Sequence, residues 1–269
     1  MKEKFLLLHN RKVITLTEKY IEVENGSLWT KKVGQGMLVL LISGGPGMYN
    51  YLEPVSTLIE NICEVILFDP KGCGRSRIDG DGYDLKSCIY DIEAIRRAYG
   101  CEKWVVIGHS WGADIGLAYT LQYPKSIIGF VSISGTGIQN DRDWKDTYNQ
   151  NKMEQKEAMP DFLFEVNKTV HRSLINSWRT FIKKTNLLKQ LSQLEVATLF
   201  IFAEKDIRPS WPIQQLAALI NDAQYIEMPN AGHYIWLGEK ERERLAKILH
   251  RFIEGFYFPQ HLDALIHKN

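Results

Sequence analysis

Ser110 sits in Gly108-His-Ser-Trp-Gly112, a G-x-S-x-G pattern placed directly after the apolar run 104–107 and before the helix-like run 113–122. Strand, sharp turn and helix form the setting that points a serine hydroxyl into the open at the positive end of a helix. Glycines at 108 and 112 let strand and helix approach with no side chain between them. The chemistry open to such a serine is attack on an ester or amide carbonyl. A hydroxyl is a poor nucleophile until a base takes its proton, and the base needs a carboxylate to hold its tautomer. Asp206, in Ala203-Glu-Lys-Asp206, follows the apolar run 199–202, and His233, in Asn230-Ala-Gly-His233, follows the strand-like run 224–228. Serine, acid and histidine in that chain order, each past the end of a strand, make Ser110, Asp206 and His233 the expected catalytic triad.

Acyl transfer also needs two N–H groups aimed at the charge that develops on the carbonyl oxygen, each worth on the order of 10²–10³ in rate. Ser43-Gly-Gly-Pro-Gly47 follows the apolar run 37–42; its glycines leave an amide uncovered and Pro46 stiffens the loop. Gly45 and Trp111 are the expected donors of this oxyanion hole, with Gly44, Pro46 and Gly47 shaping the loop. No phosphate-cradling G-x-x-x-x-G-K-[ST] or G-x-G-x-x-G is present. His109, adjacent to the serine, reads as structural. The seven histidines contain no H-E-x-x-H, so no catalytic metal is expected, and no cofactor is implied.

These residues need a scaffold, and the rest of the chain supplies one. Tyr20, Ile21 and Val23 lead to Asn25-Gly26, a two-residue hairpin signal, and 28–33 returns as a second strand. A continuous apolar run at 37–42, and further largely apolar runs at 65–68, 104–107, 127–133 and 199–202, read as strands buried on both faces of a parallel sheet. Between them, 84–99 carries Leu85, Cys88, Ile89, Ile92 and Ile95 at helical spacing and stops at Gly100. Leu245, Ile248, Leu249, Phe252 and Ile253 mark a last long amphipathic helix. The expected class is therefore α/β, a mostly parallel central sheet flanked by helices. Residues 137–195 break the rhythm with three helix-like patches and no obvious strand. They read as a helical cap insertion dividing the core into 1–136 and 196–269. Trp144, Phe162 and Trp178 within it either line a pocket or form the insertion's own small core.

The 269 residues are 45% apolar, and 33 Lys and Arg against 32 Asp and Glu leave a formal charge of +1. That balance argues against nucleic acid held through phosphates and against a disordered chain. Cys63, Cys73, Cys88 and Cys101 form no C-x-x-C pair and read as free thiols of a reducing compartment. Residues 5–8 are too short an apolar run for a secretory segment, and 37–42 is far too short to span a bilayer. A cytoplasmic protein with no membrane or nucleic-acid partner is expected.

Ser43-Gly-Gly-Pro-Gly47, Asp69-Pro-Lys-Gly-Cys-Gly-Arg-Ser76, Gly108-His-Ser-Trp-Gly112, Asp206 and His233 together resemble the α/β-hydrolase fold, and within it the proline iminopeptidase-like serine hydrolases. The resemblance covers about 19–136 and 196–255. It implies an oxyanion loop at 44–47, a loop at 69–76 that buttresses it through Asp69, and release of an N-terminal proline or similar residue from a small or short-peptide substrate. This chain departs from the family pattern at Ser43, where histidine is usual, at Lys71, where arginine is usual, and at Ile207, where some members carry an acid. The family's cap carboxylates hold the substrate's free amine; Glu154, Glu157, Asp161 and Glu165 are the acidic residues here that could take that part or simply face solvent. A carboxylesterase or lactonase of small acyl substrates, and a non-catalytic ligand-binding receptor of the same fold, are the alternatives.

Overall fold

A computed structural model describes residues 2–5, 15–80, 83–139 and 142–257. Met1, 6–14 and 258–269, which the sequence reading assigns to the two parts of the core, lie outside the described residues, as do 81–82 and 140–141. The described strands form one sheet: β1 (Lys2–Phe5), β2 (Thr15–Val23), β3 (Gly26–Gly34), β4 (Leu38–Ile42), β5 (Glu64–Phe68), β6 (Arg77–Ile78), β7 (Trp104–His109), β8 (Ile127–Ile133), β9 (Ala197–Ala203) and β10 (Gln224–Met228). The order is β1-β2-β3-β5-β4-β7-β8-β9-β10, with the short β6 paired to β3. β1, β2 and β3 run antiparallel to their neighbours, and every pairing from β5 through β10 is parallel.

The hairpin turn lies one residue earlier than its Asn-Gly signal suggests. Val23 pairs with Gly26, so Glu24 and Asn25 make the turn, and Asn25 takes the left-handed φ of 58°. Gly26 is instead the first residue of β3, where a Cβ would collide with the Arg77 carbonyl of β6. The glycine is required by its own φ of 148°, just after the turn, and by the packing of β6 against it.

Alternation along the central strands divides the interior into two cores. Leu40, Ile42, Trp104 and Val106 face one side, beneath α2 (Leu85–Ala98), α3 (Trp111–Gln122) and α7 (Trp211–Leu219). Val39, Leu41, Val105 and Ile107 face the other, beneath α1 (Glu53–Ile59) and α8 (Glu239–Tyr257), whose Leu245, Leu249 and Ile253 are buried. α2 begins at Asp84, whose carboxylate accepts from the Ser87 N–H at 2.8 Å, and ends before Gly100 at φ 62°.

Between β8 and β9 the chain forms α4 (Arg142–Glu154), α5 (Lys168–Phe181) and α6 (Leu187–Ser192), with no strand among the described residues. This segment does not keep a separate core for its tryptophan in α5. Val170, Leu174 and Trp178 pack into the same core as α2, as do Leu187 and Leu191 of α6. The reason is the strongly one-sided apolar face of α5, which finds its partner in α2. Trp144 stacks on Tyr148, and Phe162 packs edge-on against Tyr51 and Tyr234. No helix among the described residues is long and apolar enough to cross a membrane.

Candidate active site

Ser110 occupies the turn between β7 and α3 with φ 55° and ψ −132°, a conformation that costs free energy for any residue with a side chain. The surroundings hold it there. Its N–H donates to the Ile133 carbonyl of β8 at 2.8 Å, and its carbonyl accepts from Ala113 N–H at 2.9 Å. A Cβ on Gly108 would meet Ala113 backbone at 2.5 Å, and one on Gly112 would collide with the carbonyls of Ile42 and Ser43 at the end of β4. The two glycines thus permit the backbone contacts that force the turn. Trp111, first residue of α3, has an N–H with no acceptor inside its helix by construction.

The loops after β9 and β10 run side by side. Glu204 N–H donates to Met228 O at 3.1 Å and Lys205 N–H to Ala231 O at 2.8 Å, which carries Asp206 to His233. Asp206 Oδ2 and His233 Nδ1 are 2.5 Å apart, and both side chains are almost fully excluded from solvent. Burial works against ionisation of Asp206, but the adjacent His233 and then Arg208 outweigh it and hold the carboxyl below its usual range. Arg208 was not apparent as a site residue in the sequence. Its N–H and Nη1 both donate to Asp206 Oδ1, at 2.9 and 3.0 Å, and Nη1 also reaches Glu157 Oε1 at 2.6 Å. The signal for it was an arginine two residues after the acid, in a loop where its main chain and side chain can both turn back.

Of the four acidic residues singled out from the end of α4 to the approach to α5, only Glu157 reaches this cluster; Glu154, Asp161 and Glu165 are exposed. Glu157, Asp206 and His233 present ligand atoms within 4.8 Å of one another, the kind of grouping that binds cations. Here Arg208 already bonds both carboxylates, and Nδ1 of His233 is engaged by Asp206. Ile207 is buried, and its carbonyl accepts from Asn151 Nδ2 at 3.1 Å.

His109 is fully buried and bridges two loops. The Gly44 N–H donates to Tyr51 Oη at 2.9 Å, and Tyr51 Oη lies 2.8 Å from His109 Nδ1. Nε2 of His109 lies 3.0 Å from the His233 carbonyl, which can only accept. That fixes the tautomer: Nε2 carries the proton and Nδ1 accepts from the tyrosine. Burial, and then the proximity of His233, push the His109 pKa well below its usual value, so the ring is neutral. With Gly44 N–H committed to Tyr51, the next amide of the loop is that of Gly45, whose φ is +65°.

Asp69 is buried behind this loop and saturated with donors. Asn50 N–H donates to Oδ1 at 2.9 Å, Arg75 N–H and Nε to Oδ2 at 2.8 and 2.7 Å, and Arg75 Nη2 to Oδ1 at 3.0 Å. Asn50 Nδ2 then bonds the Leu41 carbonyl of β4 at 2.8 Å. Ser43 Oγ donates to the Tyr49 carbonyl at 3.1 Å. Lys71 points away from the loop, to the Glu24 carbonyl at 2.6 Å and Asp91 Oδ1 at 3.4 Å, so the bidentate grip on Asp69 belongs to Arg75. All four cysteines are free and buried, and burial pushes the thiols of Cys63 and Cys88 up to about 12.

A comparison with known proteins places this geometry. A proline iminopeptidase of Neisseria meningitidis serogroup A is 35% identical over 101 residues, which is 36% of this chain and 32% of that protein. The chain therefore matches about a third of that curated relative's length. Among solved structures, a thermophilic esterase from Thermogutta terrifontis superposes with a TM-score of 0.71 at 16% identity, covering 88% of this chain and 98% of that one. The proline iminopeptidase of Mycobacterium smegmatis superposes with a TM-score of 0.70 at 18% identity, covering 92% and 100%. At such identities both likenesses concern the fold. The family model for the alpha/beta hydrolase fold matches residues 38–200, more than half of the chain and the stretch that holds β4 through β8 and the serine turn. The chain belongs to the alpha/beta hydrolase fold family.

Proposed function

We propose that this chain is a serine hydrolase that cleaves an amide or ester through an acyl-enzyme. The observation that carries the reading is the buried Asp206–His233 contact of 2.5 Å, in a fold whose serine turn holds Ser110 at φ 55°. Ser110 Oγ attacks the substrate carbonyl while His233 accepts the hydroxyl proton, and Asp206 holds the imidazole with Nδ1 protonated. The Gly45 and Trp111 amides receive the oxyanion. Collapse of the tetrahedral intermediate breaks the bond to the leaving group, which takes the proton from His233. Water, deprotonated by the same histidine, then hydrolyses the acyl-serine. Asp69, Gly44, Pro46 and Gly47 set the oxyanion loop, and Gly108 and Gly112 the nucleophile turn.

For the substrate we infer release of an N-terminal proline or similar residue from a small or short-peptide substrate. Curated relatives include proline iminopeptidases, and Glu157 offers a carboxylate beside His233. Residues 137–195 then act as the cap, in a cytoplasmic enzyme. A second reading, hydrolysis of a short acyl ester or lactone, is favoured by one feature: Arg208 already engages Glu157, the carboxylate an amine would need. A receptor without catalysis would leave the Asp206–His233 pairing with no task.

The test is hydrolysis of a proline arylamide, its N-acetylated twin and a short-chain aryl ester, with Ser110→Ala as the blank. Cleavage of the free-amine amide alone supports the aminopeptidase. Ester turnover alone supports the second reading. Ser110→Ala should lower kcat by on the order of 10⁵–10⁶; a loss below tenfold would remove Ser110 as nucleophile.

A further inference from the structure

The oxyanion loop turns at Gly45-Pro46-Gly47-Met48, and Met48 N–H closes it on the Gly45 carbonyl at 2.8 Å. Pro46 at the second position and Gly47 at φ +83° at the third make this a type II turn. Type I and type II differ by a flip of the central peptide, here Pro46–Gly47, and glycine permits either sign of φ. Gly45 also lies at positive φ. A loop with glycine on both sides of its proline cannot set the direction of its own amides, so something outside it must.

That outside hold comes from residues 163–171, leading into α5. Nδ1 of His171 lies 2.8 Å from the Pro46 carbonyl and must be the donor, since the carbonyl can only accept. Asn167 N–H donates to the Gly47 carbonyl at 2.9 Å. The side chain of Asn167 donates through Nδ2 to the Gly72 carbonyl at 2.8 Å, while Oδ1 caps α5 through Thr169 and Val170 N–H. Leu163 N–H donates to Tyr49 Oη at 3.0 Å. Contact is backbone against backbone: a Cβ on Gly47 would collide with the Asn167 carbonyl and approach His171 N to 3.0 Å. The carbonyl of the flippable peptide itself, that of Pro46, and the next carbonyl along, that of Gly47, are therefore both tied to the start of α5.

We propose that His171 is a positioning residue for hydrolysis: by holding the Pro46 carbonyl it keeps the turn in its type II form, and that turn, closed by Met48 N–H on the Gly45 carbonyl, holds the loop in the place where the Gly45 amide is directed at the oxyanion. The proposal rests on the serine-hydrolase reading given above. Preorganised donors are effective because they need no rearrangement when charge appears, so a loop free to shift loses rate without losing substrate binding.

His171 is exposed, so replacing it leaves the core intact. The experiment compares wild type, His171→Leu and His171→Asn on whichever of the arylamide and aryl ester is turned over, with a boronic acid as mimic of the tetrahedral adduct. Asparagine keeps a donor close to the position of Nδ1. Expected is a fall in kcat of about 10–100-fold for His171→Leu with KM within about threefold. Boronate affinity should weaken by a similar factor, and His171→Asn should recover most of both. His171→Ala serves if the leucine variant does not fold. Unchanged kcat in the leucine or alanine variant, or equal losses in the leucine and asparagine variants, would overturn the proposal. Activity that survives Ser110→Ala would instead overturn the underlying reading, and the two failures are read on different variants.

Discussion

Nε2 of His109 donates to the main-chain carbonyl of His233 across 3.0 Å, so the residue preceding the candidate nucleophile holds the backbone of the candidate base. The bond extends a chain that starts at the Gly44 amide and passes through Tyr51. Three loops, after β4, β7 and β10, are thereby joined by buried hydrogen bonds between neutral groups. Such a network is strong in a low-dielectric interior only if every member is satisfied.

Tyr51→Phe tests that network. It removes one hydroxyl and leaves Gly44 N–H and His109 Nδ1 without their partner in a buried site. Expected are a stability loss of about 1–3 kcal/mol in urea unfolding and a fall of about tenfold in kcat with KM nearly unchanged. A KM effect larger than the kcat effect would show that Tyr51 contacts substrate instead.

Arg208→Met should raise the pH of acid unfolding. The guanidinium helps hold the Asp206 carboxyl below its usual range, so the stability from Asp206 is present above the unfolded-state pKa and lost as pH falls through the folded one. Without Arg208 the folded pKa rises toward the unfolded one, so the Asp206 contribution shrinks and less of it remains to be lost below about pH 4. Removing one partner of a buried ion pair also costs about 3 kcal/mol at neutral pH, and adding Glu157→Gln should restore part of it. Urea midpoints between about pH 2 and 7 check this, with the two curves drawing together below about pH 4; parallel curves for variant and wild type would contradict it.

Asp91 gives the opposite pH trend. Burial raises its carboxyl to about 6, with the Lys71 charge only partly compensating, and Oδ2 has no hydrogen-bond partner. Between pH 4 and 6 the folded protein holds a proton there that the unfolded chain has released, so this residue's contribution falls as pH rises through that window. The whole effect is about 3 kcal/mol. Asp91→Asn should flatten the pH dependence of unfolding across that window, and an unchanged slope would remove Asp91 as its source.

Gly112→Ala should destabilise the fold by at least about 3 kcal/mol, since the added Cβ meets two backbone carbonyls that cannot swing aside. Thermal unfolding measures it. A stable, active variant would mean that β4 and α3 can separate without disturbing Ser110.

What the sequence determined was whatever rests on local chemistry and period. Apolar runs of strand length, the helix that stops at Gly100, and glycines on either side of His-Ser-Trp each have a short-range physical cause, and the parallel sheet and the serine turn follow from them. Ser110, Asp206 and His233 were legible as candidates because each lies just beyond a strand-like run in the chain order serine, acid, histidine. Even there a local signal misled: Asn25-Gly26 has turn chemistry, but the glycine's own φ of 148° and the approach of Arg77 on β6 set where the glycine goes. Tertiary structure alone decided which distant side chains meet. Arg208 joins Asp206 to Glu157, Tyr51 completes the bridge through His109, and His171 reaches Pro46 across 125 positions. These contacts depend on how loops from separate elements cross above the sheet, and a hydrogen bond between such loops leaves no periodicity in the chain. The same holds for Trp178: the sequence left open a pocket lining or a small core of the insertion's own, and only the packing of α5 on α2 puts it in the core beneath α2.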